Sequence, residues 1–547
     1  MKTLELVEVD SDRLEEVLRR AEQSLDEKDA ALVRAVFESY AYVTELVEDK
    51  NTTIRRLRQL FFGARTEKTD AVVGQKPKKP EAASPGGAAD ATPATGAGGA
   101  DEPGAAAPSK GHGRNGAEAY RGAERVDVAH PSLVAGDACP ACGEGTVYEK
   151  APGVLVRITG QPPLAAKVYR LQRLRCHLCG QVFTAAAPEA AGETKYDATA
   201  GSMIGLLKYG SGLPFNRLDG LQGDLGVPLP ASTQWDVVQA VAACLTPAFD
   251  ELIRQAAQGD VLHNDDTTVK ILELMGPRGR QEALAGAAAD VGDDERSGLY
   301  TSGVVALRDG HRVALFFSGR RHAGENLARV LKHRAEQLPP PIQMCDALSR
   351  NFPGALQTIL AHCLAHARRR FVDVYDRFPE PCRHLLESLA VVYHNDAVAR
   401  ERRLSPEERL QFHQGASRPT MDELHDWLGR QLEEKRTEPN SALGGAITYM
   451  LKHWDRLTLF LRQAGAPLDN NVCERALKKA ILHRKNALFY RTQNGAGVGD
   501  LFMSLIYTCQ LNQANPFDYL TELQRHAEKM AAGPQHWMPW NYRDALA

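Results

Sequence analysis

The stretch "GLYTSGVVALRDGHRVALFFSG", residues 298–319, decides the fold of the largest part of this chain. Its two apolar halves predict two strands, and Asp309-Gly310 between them is a strong hairpin signal. "DVLHNDDTTVKILEL" before it and "PIQMCDAL" after it are also predicted to contain strands, and "AGENLARVLKHRAEQL" a helix. The order strand, hairpin, helix, strand predicts an α/β sheet within 258–350.

The bulk composition is that of a soluble globular protein. The 547 residues suffice for several domains, and 43% of them are hydrophobic and 25% charged. The net charge of −3 makes no case for nucleic acid from the chain as a whole, although basic residues cluster locally. We find no apolar run near the roughly 20 residues that span a bilayer and no signal-peptide pattern, so we expect a cytoplasmic protein without a membrane partner.

The N-terminal region combines a helix and a linker. Residues 11–62 are predicted to be helical, with a seven-residue leucine register typical of a coiled coil: Leu18, Leu25, Leu32, Leu46 and Leu60. The helix therefore predicts a homo-oligomer, with an amphipathic helix packed on its own domain as the alternative. Residues 76–110 are nearly all Ala, Gly, Pro and Thr, which predicts a flexible linker.

Four cysteines have metal-ligand spacing: Cys139, Cys142, Cys176 and Cys179. Each Cys-x2-Cys pair is followed directly by Gly, which lets backbone amides turn toward the sulfurs. Two such pairs, separated by strand-like chain, predict a closed and therefore structural Zn²⁺ site. Unrelated thiols or a redox pair remain the alternative.

Helices are predicted on both sides of the sheet segment. Within 191–255, "FNRLDGLQGDLGVPLPASTQWDVVQAV" resembles a helix-turn-helix, but two helices joined by Gly are common in any helical domain. From 360 to 462 the pattern is helical throughout, and a further helix is expected at 470–483.

Three carboxylates stand out by position: Asp265 in the first strand, Asp346 at the end of a later strand and Glu474 in the first turn of a late helix. Such acids can converge on two hard divalent cations, which supply two-metal chemistry on a phosphodiester. Each acid also has an ordinary explanation. Asp265 and Asp266 could be turn residues, Asp346 a helix cap, and Glu474 part of a capping box with Asn471.

Basic residues surround the third acid in "CERALKKAILHRK" and recur in "HCLAHARRRF". A row of cations beside a metal carboxylate suits a phosphate backbone, although a solvated basic face is the alternative. The predicted DNA contacts are Arg368, Arg369, Arg475, Lys478, Lys479, Arg484 and Lys485. His366 is predicted to lie near the scissile phosphate or to make a local structural contact.

At these residues the chain resembles the large catalytic protein of the insertion-sequence sixty-six transposase family. The matching stretches follow one another through nearly the whole chain: "FFGARTEK", "GHGR", the two cysteine pairs, "LKYGSGLPFNRLDGL", "LHNDDTTVKIL", "FFSGRRHAGENL", "CLAHARRRF", "LDNNVCERALKKAILHRKNALF" and "NPFDYL". Members usually have Asp-Glu-Thr at the first acid and Asp-Gly-Tyr at the second. This chain reads Asp265-Asp266-Thr267 and Asp346-Ala347-Leu348 instead.

The resemblance implies an Asp-Asp-Glu triad of Asp265, Asp346 and Glu474 on a ribonuclease-H-like core. It implies two Mg²⁺ or Mn²⁺ ions and cleavage and strand transfer at the ends of an insertion sequence. The implied partners are transposon-end and target DNA, and accessory proteins of the same element. A metal-dependent nuclease of the same fold without strand transfer, or a non-catalytic DNA-binding relative, is the alternative.

The expected fold class is multidomain α/β plus α: a ribonuclease-H-like core with an all-helical insertion, preceded by a zinc ribbon and a coiled-coil helix. The expected divisions are a coiled-coil helix at 1–68, a flexible linker at 69–122, the zinc ribbon at 123–190, a helical DNA-binding segment at 191–257, the first part of the core at 258–374, the helical insertion at 375–462, the last part of the core at 463–510, and a C-terminal helix and tail at 511–547.

Overall fold

A computed structural model describes residues 129–546, except 139, 141–145, 149–162, 176–181 and 277–297. The predicted coiled-coil helix and linker lie outside the described residues, and so do all four cysteines of the predicted zinc site. Two compact units are distinguished. One contains 204–213 and 238–547, and the other contains the described parts of 78–203 and 214–237. Over the described residues, every helix is too short or too polar to cross a membrane.

The smaller unit contains short antiparallel pairings and paired helices. Strands β1 (Arg173–Arg175) and β2 (Val182–Thr184) flank the second cysteine pair in sequence. Helix α1 (Ala198–Gly205) begins in this unit, followed by α2 (Phe215–Asp224) and the start of α3 (Ala231–Ala257). The buried Gln234 amide donates hydrogen bonds to the carbonyls of Phe215 and Leu229, which ties α3 to the start of α2.

The larger unit is built on a five-stranded mixed sheet, and four of its strands lie in the stretches that the sequence predicts. Its strands are β3 (Val261–Thr268), β4 (Tyr300–Arg308), β5 (His311–Gly319), β6 (Ile342–Cys345) and β7 (Ile359–His362), in the spatial order β5-β4-β3-β6-β7. β3, β4 and β5 are antiparallel, whereas β6 and β7 run parallel to β3. Asp309 and Gly310 form the hairpin turn with φ of 48° and 78°, the left-handed pair that such a turn requires.

Strand β7 corrects the prediction that 360–462 is helical throughout. Ile359 to His362 pair with Ile342 to Cys345 of β6 in parallel register. A run of four residues is too short for periodicity to distinguish strand from helix, and only the neighbouring strand decides between them.

The helices around the sheet have the following bounds. The short α4 (Leu272–Met275) follows β3, and α5 (Ala323–Leu331) lies between β5 and β6. Helix α6 (Leu364–Val374) follows β7. The helical insertion then contributes α7 (Pro379–Glu401), α8 (Pro406–Ala416), α9 (Arg418–Glu433), α10 (Ala442–Lys452) and α11 (Trp454–Leu457). The chain returns to the sheet with α12 (Asn471–Ala487) and α13 (Gln493–Leu511), and ends with α14 (Pro516–Arg525) and α15 (Ala527–Ala532). One apolar core joins β6, β7 and α6 to the insertion.

Helix α13 closes the open edge of the sheet. Its side chains hydrogen-bond the backbone N–H groups of alternate β5 residues: Asp500 with Ser318, Ser504 with Phe316, Thr508 with Ala314 and Asn512 with Arg312. Four helical residues advance about 6 Å and two strand residues about 6.6 Å, so the two spacings match over the three steps between these four hydrogen bonds. The ladder satisfies donors that an edge strand otherwise leaves open.

Candidate catalytic site

Asp265 lies on β3, and Asp346 directly follows β6, the strand that runs parallel to β3. The register pairs Val261 with Ile342 and His263 with Met344, an offset of 342 − 261 = 81. The same offset separates the two acids, since 346 − 265 = 81. Asp346 directly follows the last residue of β6. Both carboxylates therefore lie toward the carboxyl ends of two adjacent inner strands, β3 and β6.

Asp265 and Asp266 both lie within β3, so the turn interpretation of these residues is wrong. Consecutive strand residues point to opposite faces, and the two acids have different partners. The Asp266 carboxylate lies 2.9 Å from Nδ1 of His322 and 3.3 Å from the guanidinium of Arg350, and its side chain is 2% exposed. Asp266 is therefore paired with His322 and Arg350, whereas Asp265 points to the other face of β3.

Glu474 reaches the sheet because α12 packs closely on β4 at a glycine. Gly303 pairs with Asp265 across the β3–β4 ladder. A Cβ atom at Gly303 would lie 3.1 Å from the Leu477 side chain and 3.4 Å from Sγ of Cys473. The Cys473 thiol also donates to the Gly303 carbonyl at 3.3 Å. This close approach brings the first turn of α12, with Glu474, beside the strand that carries Asp265.

The proposed capping role of Glu474 is absent at this helix start. α12 has Asn470 as its N-cap, and no side-chain capping hydrogen bond is formed there among the described residues. Asp346, in contrast, does shape a turn. Its carboxylate accepts a hydrogen bond from the Leu348 N–H at 3.1 Å and another from the Asn351 amide.

Buried amides connect the segments that carry the three acids. The Asn264 amide donates to the Asn351 carbonyl at 2.8 Å, and Gln343 donates to the Asn264 side chain at 2.9 Å. The Asn470 amide donates to the Asn264 carbonyl at 3.1 Å, and its oxygen bonds His263 at 3.0 Å. Because buried amides need all their partners, this network holds β3, β6 and the start of α12 in one arrangement.

The pKa of the Asp265 carboxyl is strongly perturbed. Burial is the largest cause, and together with the negative charges of Asp346, Asp266 and Glu474 it raises this pKa to about 7, against a backbone hydrogen bond that lowers it. A carboxyl group surrounded by other carboxyl groups favours either a proton or a cation. The shift therefore reflects first the burial of this carboxyl and then the negative charges of the three acids near it.

Glu474 lies among ligand-type and basic side chains from α6. Its Oε1 is 3.6 Å from Nδ1 of His366, and its Oε2 is 3.8 Å from the Arg369 guanidinium. Ligand atoms of Cys363, His366 and Glu474 all lie within 4.8 Å of one another. Cys363 and His366 lie three residues apart, and the fold adds Glu474 to them.

The predicted DNA-binding residues divide into three groups. Exposed side chains are those of Arg475, Lys478 and Lys485. Lys479, Arg484 and Arg369 are partly buried. The Lys479 ammonium lies 5.6 Å above the Tyr507 ring, and the Arg484 guanidinium donates to the Thr267 and Thr268 side chains. Arg369 lies beside Glu474. Arg368 differs from the expectation of a DNA-facing residue: it is only 8% exposed, because its position on α6 faces the packed interior.

Sequence reasoning missed two supporting residues. Gly303, in the middle of a predicted strand, is itself a signal, since glycine in a strand marks a close approach of another element. Asn351, which holds Asp346, carries no such signal because its role depends on a turn that only the structure reveals.

The fold and this site define a class: a mixed α/β protein with an acidic cluster at one edge of its sheet, flanked by a basic helix. The model of the Transposase IS66 family matches residues 194–497, and the chain belongs to that family. Family membership implies an enzyme that acts on DNA.

Relatives resemble the chain over most of its length. The uncharacterized protein y4hP of Sinorhizobium fredii is 28% identical over 448 residues, which cover 78% of this chain and 76% of the relative. The uncharacterized protein y4jD of the same organism is 27% identical over 403 residues, covering 70% and 74%.

Proposed function

We propose that this protein is a transposase of the Asp-Asp-Glu type that cleaves the ends of an insertion sequence and joins them to target DNA. Asp265, Asp346 and Glu474 form its catalytic triad. The observation that carries the proposal is the placement of the acids: Asp265 lies on β3, and Asp346 follows the parallel strand β6 at the 81-residue offset of the β3–β6 register. Helix α12 packs beside β3's partner strand at Gly303.

The donor set fits divalent cations of the hard type. Three carboxylates offer only oxygen ligands, as Mg²⁺ or Mn²⁺ prefers, and the negative charges of Asp346 and Glu474 both act on Asp265. When bound, two such ions supply activation of the attacking oxygen and stabilisation of the leaving oxygen. His366 and Arg369 hold Glu474 from the side of α6.

The remaining residues position the DNA. Arg475, Lys478 and Lys485 are exposed along α12 and are suited to bind the phosphate backbone. The reaction on this proposal passes through no covalent enzyme intermediate. The protein contributes orientation and charge stabilisation.

The N-terminal part serves end recognition on the same proposal. The paired helices α2 and α3 bind the terminal inverted repeats together with a zinc ribbon, whose ligands are Cys139, Cys142, Cys176 and Cys179. The N-terminal helix pairs two protomers.

Purified protein should contain one Zn²⁺ per chain, and Cys176→Ser should lose this ion together with specific end binding. Metal-free protein that binds ends normally would refute the ribbon.

A plasmid carrying the two ends tests the central proposal. Asp265→Asn, Asp346→Asn and Glu474→Gln should each abolish both cleavage and joining in Mg²⁺, while end binding persists. Glu423→Gln, at an exposed position of α9, is the matched control and should retain both steps. Pre-cut ends offered with a target plasmid separate a transposase from a nuclease, since only a transposase joins them. Cleavage that survives all three substitutions would rule out this triad.

A further inference from the structure

The turn that follows α12 has an unusual backbone. Leu488 has φ of 67° and ψ of −45°, and the Phe489 N–H donates to the Ala487 carbonyl at 2.8 Å. This hydrogen bond closes a three-residue γ-turn of the rare form with positive φ. For a leucine such a conformation costs roughly 1–3 kcal/mol and persists only where the surrounding structure imposes it.

Both flanks of the turn are held in place. The Leu488 N–H donates to the Arg484 carbonyl at 2.8 Å, which ends the helix. On the other side, the Tyr490 N–H donates to the Lys270 carbonyl at 2.8 Å, and the Tyr490 carbonyl accepts the Leu272 N–H at 2.9 Å. The Tyr490 ring is buried and stacks on His483 at 4.7 Å. The two anchors force the strained geometry on the residue between them.

The strain keeps two large apolar side chains in solvent. Leu488 is 62% exposed and Phe489 44% exposed, whereas Tyr490 beside them is 8% exposed. Exposed charged residues near the turn are the cations Lys270, Lys485 and Arg491 and the acid Glu273, whose carboxylate accepts the Gln493 N–H. An apolar pair within a basic surround suits a polyanion that carries stacked aromatic faces, and DNA has both properties.

The position of the turn relative to the acids supports DNA as the occupant. Glu474, Lys478, Leu482 and Lys485 follow one another at intervals of four or three residues, so they lie along one face of α12. From 474 to 488 the helix advances about 21 Å at about 1.5 Å per residue. A duplex that runs parallel to α12, with about 3.4 Å between base pairs, would place the turn about six base pairs from Glu474.

We propose that Leu488 and Phe489 form a wedge that enters the base stack of the bound DNA, about six base pairs from the phosphate that is cleaved. Opening one base step costs a few kcal/mol, which stacking of Phe489 on an exposed base offsets by about 1–3 kcal/mol. The wedge bends the DNA along α12 and makes cleavage depend on how easily that step opens. The inference rests on the proposed function, since it uses the same DNA and the same acids.

Duplexes from the inverted repeat next to the gene, with 2-aminopurine at successive positions, test the wedge. Ca²⁺ in place of Mg²⁺ holds the complex before cleavage. Wild-type protein should raise the fluorescence several-fold at one step, and Phe489→Ala and Leu488→Gly should lose this rise. Both should also cleave about 10- to 100-fold more slowly in Mg²⁺, the loss expected from one stacking contact. Val391→Ala, at a 46% exposed position of α7, is the control and should behave as wild type.

A mismatch at the same step separates a wedge from a structural role. It removes the cost of opening the stack, so it should restore cleavage by Phe489→Ala toward the wild-type rate. Leu488→Gly adopts positive φ without strain and should melt no lower than wild type, which excludes misfolding as the cause. An unchanged fluorescence rise in both variants, or no rescue by the mismatch, overturns the wedge. If wild-type protein neither binds nor cleaves the ends, the proposed function fails instead.

Discussion

Nδ1 of His366 lies 3.6 Å from Oε1 of Glu474, and among the described residues neither atom has a hydrogen-bond partner. Arg369 lies 3.8 Å from the other oxygen of the same carboxylate. Two basic side chains of α6 thus flank a carboxylate of α12, although the two helices are separated in sequence by the whole helical insertion. The Glu474 carboxylate thus has a basic side chain beside each oxygen, and its Oε1 can still accept a hydrogen bond or bind a cation.

We expect His366→Ala to lower the affinity of the site for the divalent ion that cleavage requires. Without the ring beside it, Glu474 gains freedom and must be ordered at each binding event. Loss of such an orienting neighbour typically costs 10- to 100-fold, roughly, in metal affinity or activity. Single-turnover cleavage measured against Mg²⁺ concentration should show a higher half-saturating concentration, and saturating Mg²⁺ should recover part of the rate. His394→Ala, at an exposed site in α7, provides the control. An unchanged Mg²⁺ dependence would exclude the positioning role.

Gly303→Ala should push α12 away from β4. The new methyl group would lie 3.1 Å from Leu477, closer than ordinary van der Waals contact. Overpacking of this kind costs about 1–3 kcal/mol of folding free energy, and here it also displaces Glu474. The rate of cleavage should therefore fall by more than the loss of folding stability, measured from the melting temperature, explains. Adding Leu477→Ala creates space for the methyl group and should recover cleavage activity. If the double variant cleaves no faster than Gly303→Ala alone, the contact between Gly303 and Leu477 does not position α12.

The buried Asp500 predicts a pH-dependent stability. Burial raises its pKa from 3.8 to about 7, against two hydrogen bonds from Ser318 that lower it. The folded protein therefore binds this proton more tightly than the unfolded chain does. The stabilising contribution is complete below about pH 4 and is lost as the pH rises toward 7 and beyond. The change is about 4 kcal/mol at most, at about 1.4 kcal/mol per pKa unit.

Denaturant unfolding of Asp500→Asn between pH 5 and 8 checks this prediction. The stability of wild type relative to the variant should decline with rising pH, because Asn does not titrate. Ser504→Ala, in the same ladder, leaves the Phe316 N–H without its partner and should cost about 1–3 kcal/mol at every pH. A wild-type advantage that is constant with pH would mean that Asp500 does not titrate in this range.

Much of the sheet could be predicted because its signals are local. The Asp309-Gly310 turn, the strand that contains Asp265 and the strand that ends before Asp346 all follow from residues close in sequence. β7 could not be predicted, since its four residues form a strand only through pairing with β6. The burial of Arg368 was missed for a related reason: "HARRRF" reads as uniformly basic until the neighbours of α6 are known.

The sequence by itself determined the family, the strand-hairpin-helix-strand order and the three acids worth considering, because composition, spacing and turn chemistry are properties of neighbouring residues. Only the tertiary structure decided that Asp265 rather than Asp266 shares a register with Asp346, that Gly303 admits α12, and that Leu488 is held in a strained, exposed turn. Each of these depends on contacts between segments far apart in the chain. Such contacts arise from packing and strand register, which local sequence patterns do not encode.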